Sequence, residues 1–164
     1  MIRKLTRRSA VAMATAGLVT GCSGGGRAAG ASPTVAPDPG AAVRRKAARD
    51  SVALAARYDA VAAAHPELAA RLAPLRSETA RHAAAFGGKV PAAGTGTGTS
   101  PAVPPDGKTA LARLAAAERA LADQRAAALL DAPGELARLL ASVAASGAAH
   151  AVLLGPGNGG KATA

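Results

Sequence analysis

The chain has 164 residues, 49 of them alanine and 19 glycine, and Tyr58 and Phe86 are its only aromatics. A core built from it must come from Leu, Val and close-packed Ala, which favours helices, and the length suits one domain plus appendages. The formal net charge is +10, but Arg3, Lys4, Arg7 and Arg8 precede residue 22 with no acid among them, leaving sixteen basic against ten acidic residues in the remainder; scattered along helices and without aromatic stacking platforms, these exclude a nucleic-acid binder.

Residues 1–21 comprise a basic head, MIRKLTRR, an apolar run over residues 10–18, and Val19-Thr20-Gly21 before Cys22. The run is about nine residues, well short of the roughly 20 needed to span a bilayer, so it predicts a signal peptide. Val19-Thr20-Gly21-Cys22 resembles the lipobox of bacterial lipoproteins, which implies cleavage after Gly21 and diacylation of Cys22. Because Cys22 is the only cysteine, disulfides and thiolate metal sites within the chain are excluded. Arg7-Arg8 resembles a twin-arginine signal, with Ala10 where Phe or Leu is usual, and the general and twin-arginine export routes both stay open. Residues 22–40, rich in Gly, Ala, Pro and Ser, predict the lipidated Cys and a flexible tether. Two acyl chains anchor durably where one is marginal, so the expected location is the outer face of the cytoplasmic membrane.

From residue 41 to 64 there is no Gly or Pro, and Val43, Ala47, Asp50, Leu54, Tyr58 and Val61 recur at helical spacing. His65-Pro66-Glu67 makes a turn, with His65 expected as an exposed cap residue and Pro66 suited to a first helical position. A second helix over 67–86 carries Leu68, Leu72, Leu75, Thr79, His82 and Phe86 on one face, with Pro74 expected to kink or split it. Gly87-Gly88 ends it. Residues 87–106 form a low-complexity connection of about twenty residues, long enough at roughly 3 Å each to run the length of a bundle of about 35 Å; a loop between adjacent helices also fits that length. Asp106 is a candidate N-cap for a third helix over 107–130, whose face is Leu111, Leu114, Glu118, Leu121, Arg125 and Ala128. After Asp131-Ala132-Pro133-Gly134 a fourth helix over 134–154 presents Leu136, Leu140, Val143, Gly147, His150 and Leu154. Residues 156–164 are expected to be disordered.

The chain contains one pattern twice, at an offset of 68 residues: Glu67, Leu68, Leu72, Leu75 and His82 align with Glu135, Leu136, Leu140, Val143 and His150, and Asp50 and Arg57 with Glu118 and Arg125. The repeat unit is therefore a helical hairpin. Each apolar seam is interrupted by an ionisable group: Asp50, His82, Glu118 and His150. Asp50 stands about fifteen residues before its turn and His82 about sixteen after it, at nearly equal height at 1.5 Å per residue, and Glu118 and His150 stand in the same relation.

This layout, over residues 41–155, resembles the ferritin-like four-helix bundles, two hairpins joined by a long crossover. Their di-iron sites take a carboxylate from the first helix of each hairpin and Glu-x-x-His from the second. Asp50, Glu118, His82 and His150 match that pattern, while Thr79 and Gly147 stand where the two further glutamates belong, and Glu78 is turned about 100° off the seam. The chain is also similar to small actinobacterial lipoproteins with an Ala-rich ferritin-like domain of unassigned activity. The plain reading is that Asp50 with His82, and Glu118 with His150, are buried hydrogen-bonded pairs. The sharper one is a single Fe or Zn held by all four, and Arg57 and Arg125 are alternative partners of the carboxylates. The resulting expectation is an all-α, lipid-anchored, extracytoplasmic four-helix bundle without catalytic residues or a cofactor, acting as a structural or interaction module. Its partners would be the membrane through Cys22 and an envelope protein or anionic wall polymer. The alternatives are a metal-binding or redox lipoprotein, including a di-iron oxidase, and a small-ligand carrier.

Overall fold

The computed structural model describes residues 38–93 and 101–155. Arg7, Arg8, Val19, Gly21 and Cys22, with most of the tether and the tail from residue 156, lie outside them. The described residues are all-helical and contain no strand. Helix α1 spans Ala41–Ala64, α2 Ala69–Ala85, α3 Gly107–Ala128 and α4 Gly134–Leu154. Short 3₁₀ turns, Pro66–Leu68 and Leu129–Asp131, occupy the first turn expected of the second helix and the last of the third.

The caps follow from local chemistry. Asp106 Oδ2 accepts from Thr109 N at 2.7 Å and from Thr109 Oγ1 at 2.6 Å, the bond an N-cap supplies to an otherwise orphaned N–H. At the end of α2, Gly88 N donates to Ala83 O and Gly87 N to Ala84 O, with Gly87 at φ 85°, the paired bonds of a Schellman cap that favours glycine. Pro74 lies inside a continuous α2. It neither splits nor ends the helix because the carbonyl it leaves unbonded, on Ala70, is on an exposed face where water can serve it.

Helices α1 and α2 form one hairpin, α3 and α4 another, and α1 packs on α3 and α2 on α4. Contacts along α1 and α3 run in opposite directions: Lys46 meets Gln124, Ser51 meets Arg125 and Tyr58 meets Glu118. Gly88, after α2, lies against Ala48, while Gly107, opening α3, lies against His65 and Leu68. The described ends of the α2–α3 connection therefore lie at opposite ends of the helices. His65 is buried in this arrangement, against the expectation of an exposed cap, because its Nε2 is bonded at 2.9 Å to Pro104 O on the returning segment.

The core divides into two apolar clusters. One gathers Leu54, Tyr58, Val61, Leu72, Leu75, Leu111, Leu114 and Leu154; the other Ala47, Ala48, Phe86, Leu136, Leu140 and Val143. Between them lies a polar layer of Ser51, Thr79, Glu118, Arg125 and His150, all buried.

Candidate functional site

Glu118, 1% exposed, is the hub of that layer. Its Oε1 accepts from Tyr58 Oη at 2.6 Å and from His150 Nδ1 at 2.9 Å. The other ring nitrogen of His150, Nε2, lies 3.4 Å from Glu78 Oε2, and Glu78 Oε1 accepts from Ser146 Oγ at 3.0 Å. The result is a relay across all four helices, Tyr58 on α1, Glu118 on α3, His150 on α4 and Glu78 on α2. The ring of His82 stacks on that of His150, centroids 6.2 Å apart and planes inclined by 26°.

Local sequence explains why these groups meet. Glu78 and Ser146 are equivalent positions of the 68-residue repeat, as are His82 and His150, and each joins its own equivalent. In an arrangement of two related halves only positions at the symmetry axis can do so, so a pseudo-twofold axis passes between α2 and α4 there. Long helical side chains lean toward the N-terminus, which brings the two imidazoles back toward that axis from opposite sides. Gly147 makes room on α4: a β-carbon there would fall 3.2 Å from Glu118 Oε2 and 3.6 Å from Ala122 Cβ.

The charges are set by burial and partners. Burial disfavours protonation of His150, but the bond and charge of Glu118, then those of Glu78, outweigh it and raise its pKa above the ordinary histidine value. Burial dominates at His82, whose pKa is lowered, with Glu78 opposing at 3.8 Å. Burial, then the charge and hydrogen bond of Glu118, hold the Tyr58 phenol far above its usual range, so it stays a donor. The Ser146 hydrogen bond, then His150, hold Glu78 below the usual carboxylate value. A proton on both ring nitrogens of His150 is thus favoured by the two carboxyl groups it faces, the partners that a buried charge demands.

The four residues singled out from the sequence are not all brought together. Glu118 and His150 are paired as the spacing suggests. Asp50 does not reach His82: one methylene shorter than Glu118, it is held by Lys46 Nζ, one turn back on α1, at 2.7 Å. The repeat equivalent of Tyr58 is Ala126 on α3, so Asp50 has no phenol across from it to hold it inward as Tyr58 holds Glu118. Arg125 is buried and donates to Ser51 Oγ at 2.8 Å, whereas its equivalent Arg57 is exposed. Two members of the relay were missed. Glu78, turned off the seam, reaches His150 because α4 packs beside α2, and its i, i+4 spacing to His82 was the available signal. Tyr58 falls by spacing on the apolar face, although a buried phenol needs a partner for its hydroxyl.

For a two-metal carboxylate site of the kind the resemblance implies, the residues present do not fit. Asp50 points to Lys46, Thr79 Oγ1 is spent on Leu75 O at 2.9 Å, and Gly147 offers no ligand. Both nitrogens of His150 face carboxylate oxygens at hydrogen-bonding range. Among the described residues no group of three or more His, Cys, Asp or Glu is disposed to hold an ion. Comparison with protein-family models, with curated proteins and with solved structures found no match to this chain.

Proposed function

We propose that this chain is a lipid-anchored module of the cell envelope, a ferritin-like four-helix bundle without catalytic activity, in which the Tyr58–Glu118–His150–Glu78 relay fixes the register of the helices. One observation carries the non-enzymatic reading: both ring nitrogens of His150 and the inner oxygen of Glu118 are engaged by one another, by Tyr58 and by Glu78. A general base or metal ligand needs a lone pair facing the substrate or ion, and an imidazole whose two nitrogens both face carboxylate oxygens presents none. The ferritin-like topology is supported by two antiparallel hairpins and by the two ends of the α2–α3 connection lying at opposite ends of the helices. Anchoring through Cys22 rests on Val19-Thr20-Gly21-Cys22 after a short apolar run. The mildly basic remainder suits an envelope protein or an anionic wall polymer as partner.

A second reading, a metal-binding or redox lipoprotein, is favoured by one feature: Glu78 stands between Nε2 of His82 and Nε2 of His150, at 3.8 and 3.4 Å. Elemental analysis of the purified chain separates the two. The structural reading expects no stoichiometric metal and a folded protein without it. Stoichiometric Fe or Zn that disappears in both His82→Ala and His150→Ala would overturn it.

A further inference from the structure

The relay leaves one buried cation over. Arg125 is 5% exposed, its Nη2 donates to Ser51 Oγ, and its Nε has no hydrogen-bond partner among the described residues. A buried N–H without an acceptor costs free energy, and burial already lowers the Arg125 pKa from its ordinary value. Ser51 is itself held, since its own hydroxyl donates to Ala47 O at 2.9 Å.

Arg125 lines a groove of about 430 Å³ between α1 and α3, with Val43, Ala47, Ala128 and Leu140 supplying an apolar wall and Lys46 and Asp50 also along it. That volume is within the range of small-molecule sites, roughly 300–1,000 Å³. Asp50 and Gln124 also line a second cavity, of about 190 Å³, and this shares Arg57 with a third, of about 220 Å³, which includes Arg113. The three adjoin along the α1–α3 seam. Four cationic side chains, Lys46, Arg57, Arg113 and Arg125, line them against one carboxylate, Asp50, which Lys46 already holds. Glu118, behind Arg125, is taken up by Tyr58 and His150. An apolar wall with a guanidinium that keeps one unpartnered N–H, and a cationic margin, is complementary to a molecule with an anionic head and an alkyl tail.

We propose that the α1–α3 groove binds an anionic amphiphile of the fatty-acid class, its carboxylate against Arg125 and its alkyl chain along Val43, Ala47, Ala128 and Leu140. A small rotation of the guanidinium gives Nε–H the acceptor it lacks, and Lys46 adds a second donor at the mouth. A carboxylate head is carried by a free fatty acid, and an anionic head also by membrane lipid; the groove takes the free acid, because its wall is formed by α1, α3 and Leu140 of α4 within one chain and its buried cation, Arg125, is 5% exposed.

The test is calorimetric titration of the full chain, made as Cys22→Ser so that no acyl group of its own competes, with monomeric dodecanoate. Saturable one-to-one binding is expected, weakened at least ten-fold in Arg125→Gln and in Ala128→Phe, which fills the apolar wall and leaves every charge in place. Because a buried arginine also supports the fold, helical circular dichroism is recorded for each variant, and Ala128→Phe with Lys46→Ala decides the matter should Arg125→Gln unfold. Dodecyltrimethylammonium binding as tightly as dodecanoate would overturn the assignment of the head, and acetate competing equally would overturn that of the tail. Binding to vesicles of anionic lipid without binding to monomeric dodecanoate, or binding unaffected by the folded variants, would overturn the site itself.

Discussion

At His150 the folded state favours the charged form more than the unfolded chain does, and this has a definite pH signature. Its folded pKa is raised, so the stability it contributes is fully present below the unfolded value of about 6.5 and is lost as pH rises through the folded value. His82 has the opposite sign: its folded pKa is lowered, so stability falls as pH drops below about 6.5 toward that value. Thermal unfolding followed across this range should show a maximum near the crossover, with the alkaline limb flattened in His150→Gln and the acid limb in His82→Gln. Tyr58→Phe removes one hydrogen bond to a charged acceptor that keeps its second donor, and is expected to cost about 1.5–3 kcal/mol in urea unfolding. Gly147→Ala should also destabilise. The helix-propensity gain of roughly 1 kcal/mol is outweighed because a β-carbon at 3.2 Å from Glu118 Oε2 would displace a buried carboxylate held by two donors. These residues were unequally legible. Glu118 and His150 could be read from the repeat because both sit on a seam at equal height. Asp50 could not be placed, since Asp and Glu are alike in type and differ here by one methylene and a lysine four residues back. Glu78 was hidden because its position depends on which helix lies beside α2, which spacing within one helix does not carry.

At the scale of elements, four amphipathic faces told most of the story. Leu72, Leu75 and Thr79 on α2, and Leu136, Leu140, Val143, Gly147, His150 and Leu154 on α4, are buried as their 3–4 spacing implies. The ends were readable where Asp106 and Gly87-Gly88 carry cap chemistry. Pro74 was misjudged because its cost depends on whether the freed carbonyl meets water, a property of the packed molecule. Pro74→Ala restores the missing N–H on that exposed face, and should raise stability by about 1–3 kcal/mol in denaturant titration. The long connection could not be assigned from length alone. Its two ends are placed by Gly88 at one end of α1 and His65 with Pro104 at the other.

For the whole molecule, duplication supplies the shape and divergence supplies the charge layer. The two hairpins meet at a pseudo-twofold axis marked by Glu78 with Ser146 and His82 with His150, yet only one half keeps its carboxylate inside. The ionic cluster lies between two apolar clusters, so a register slip that kept the apolar faces in contact would leave Glu118 without His150, and removing one partner of a buried pair costs about 3–5 kcal/mol. On the proposed anchoring, labelled fatty acid should enter the wild-type chain and not Cys22→Ser, and equal labelling of both would end that proposal. The central claim is that Glu118 and His150 hold α3 and α4 together directly. A double-mutant cycle of Glu118→Gln and His150→Gln, measured by urea unfolding at pH 6 in protein stripped with a chelator, tests it most directly. A coupling energy of about 1–3 kcal/mol that is the same before and after stripping is expected. Coupling that vanishes when metal is removed would contradict it.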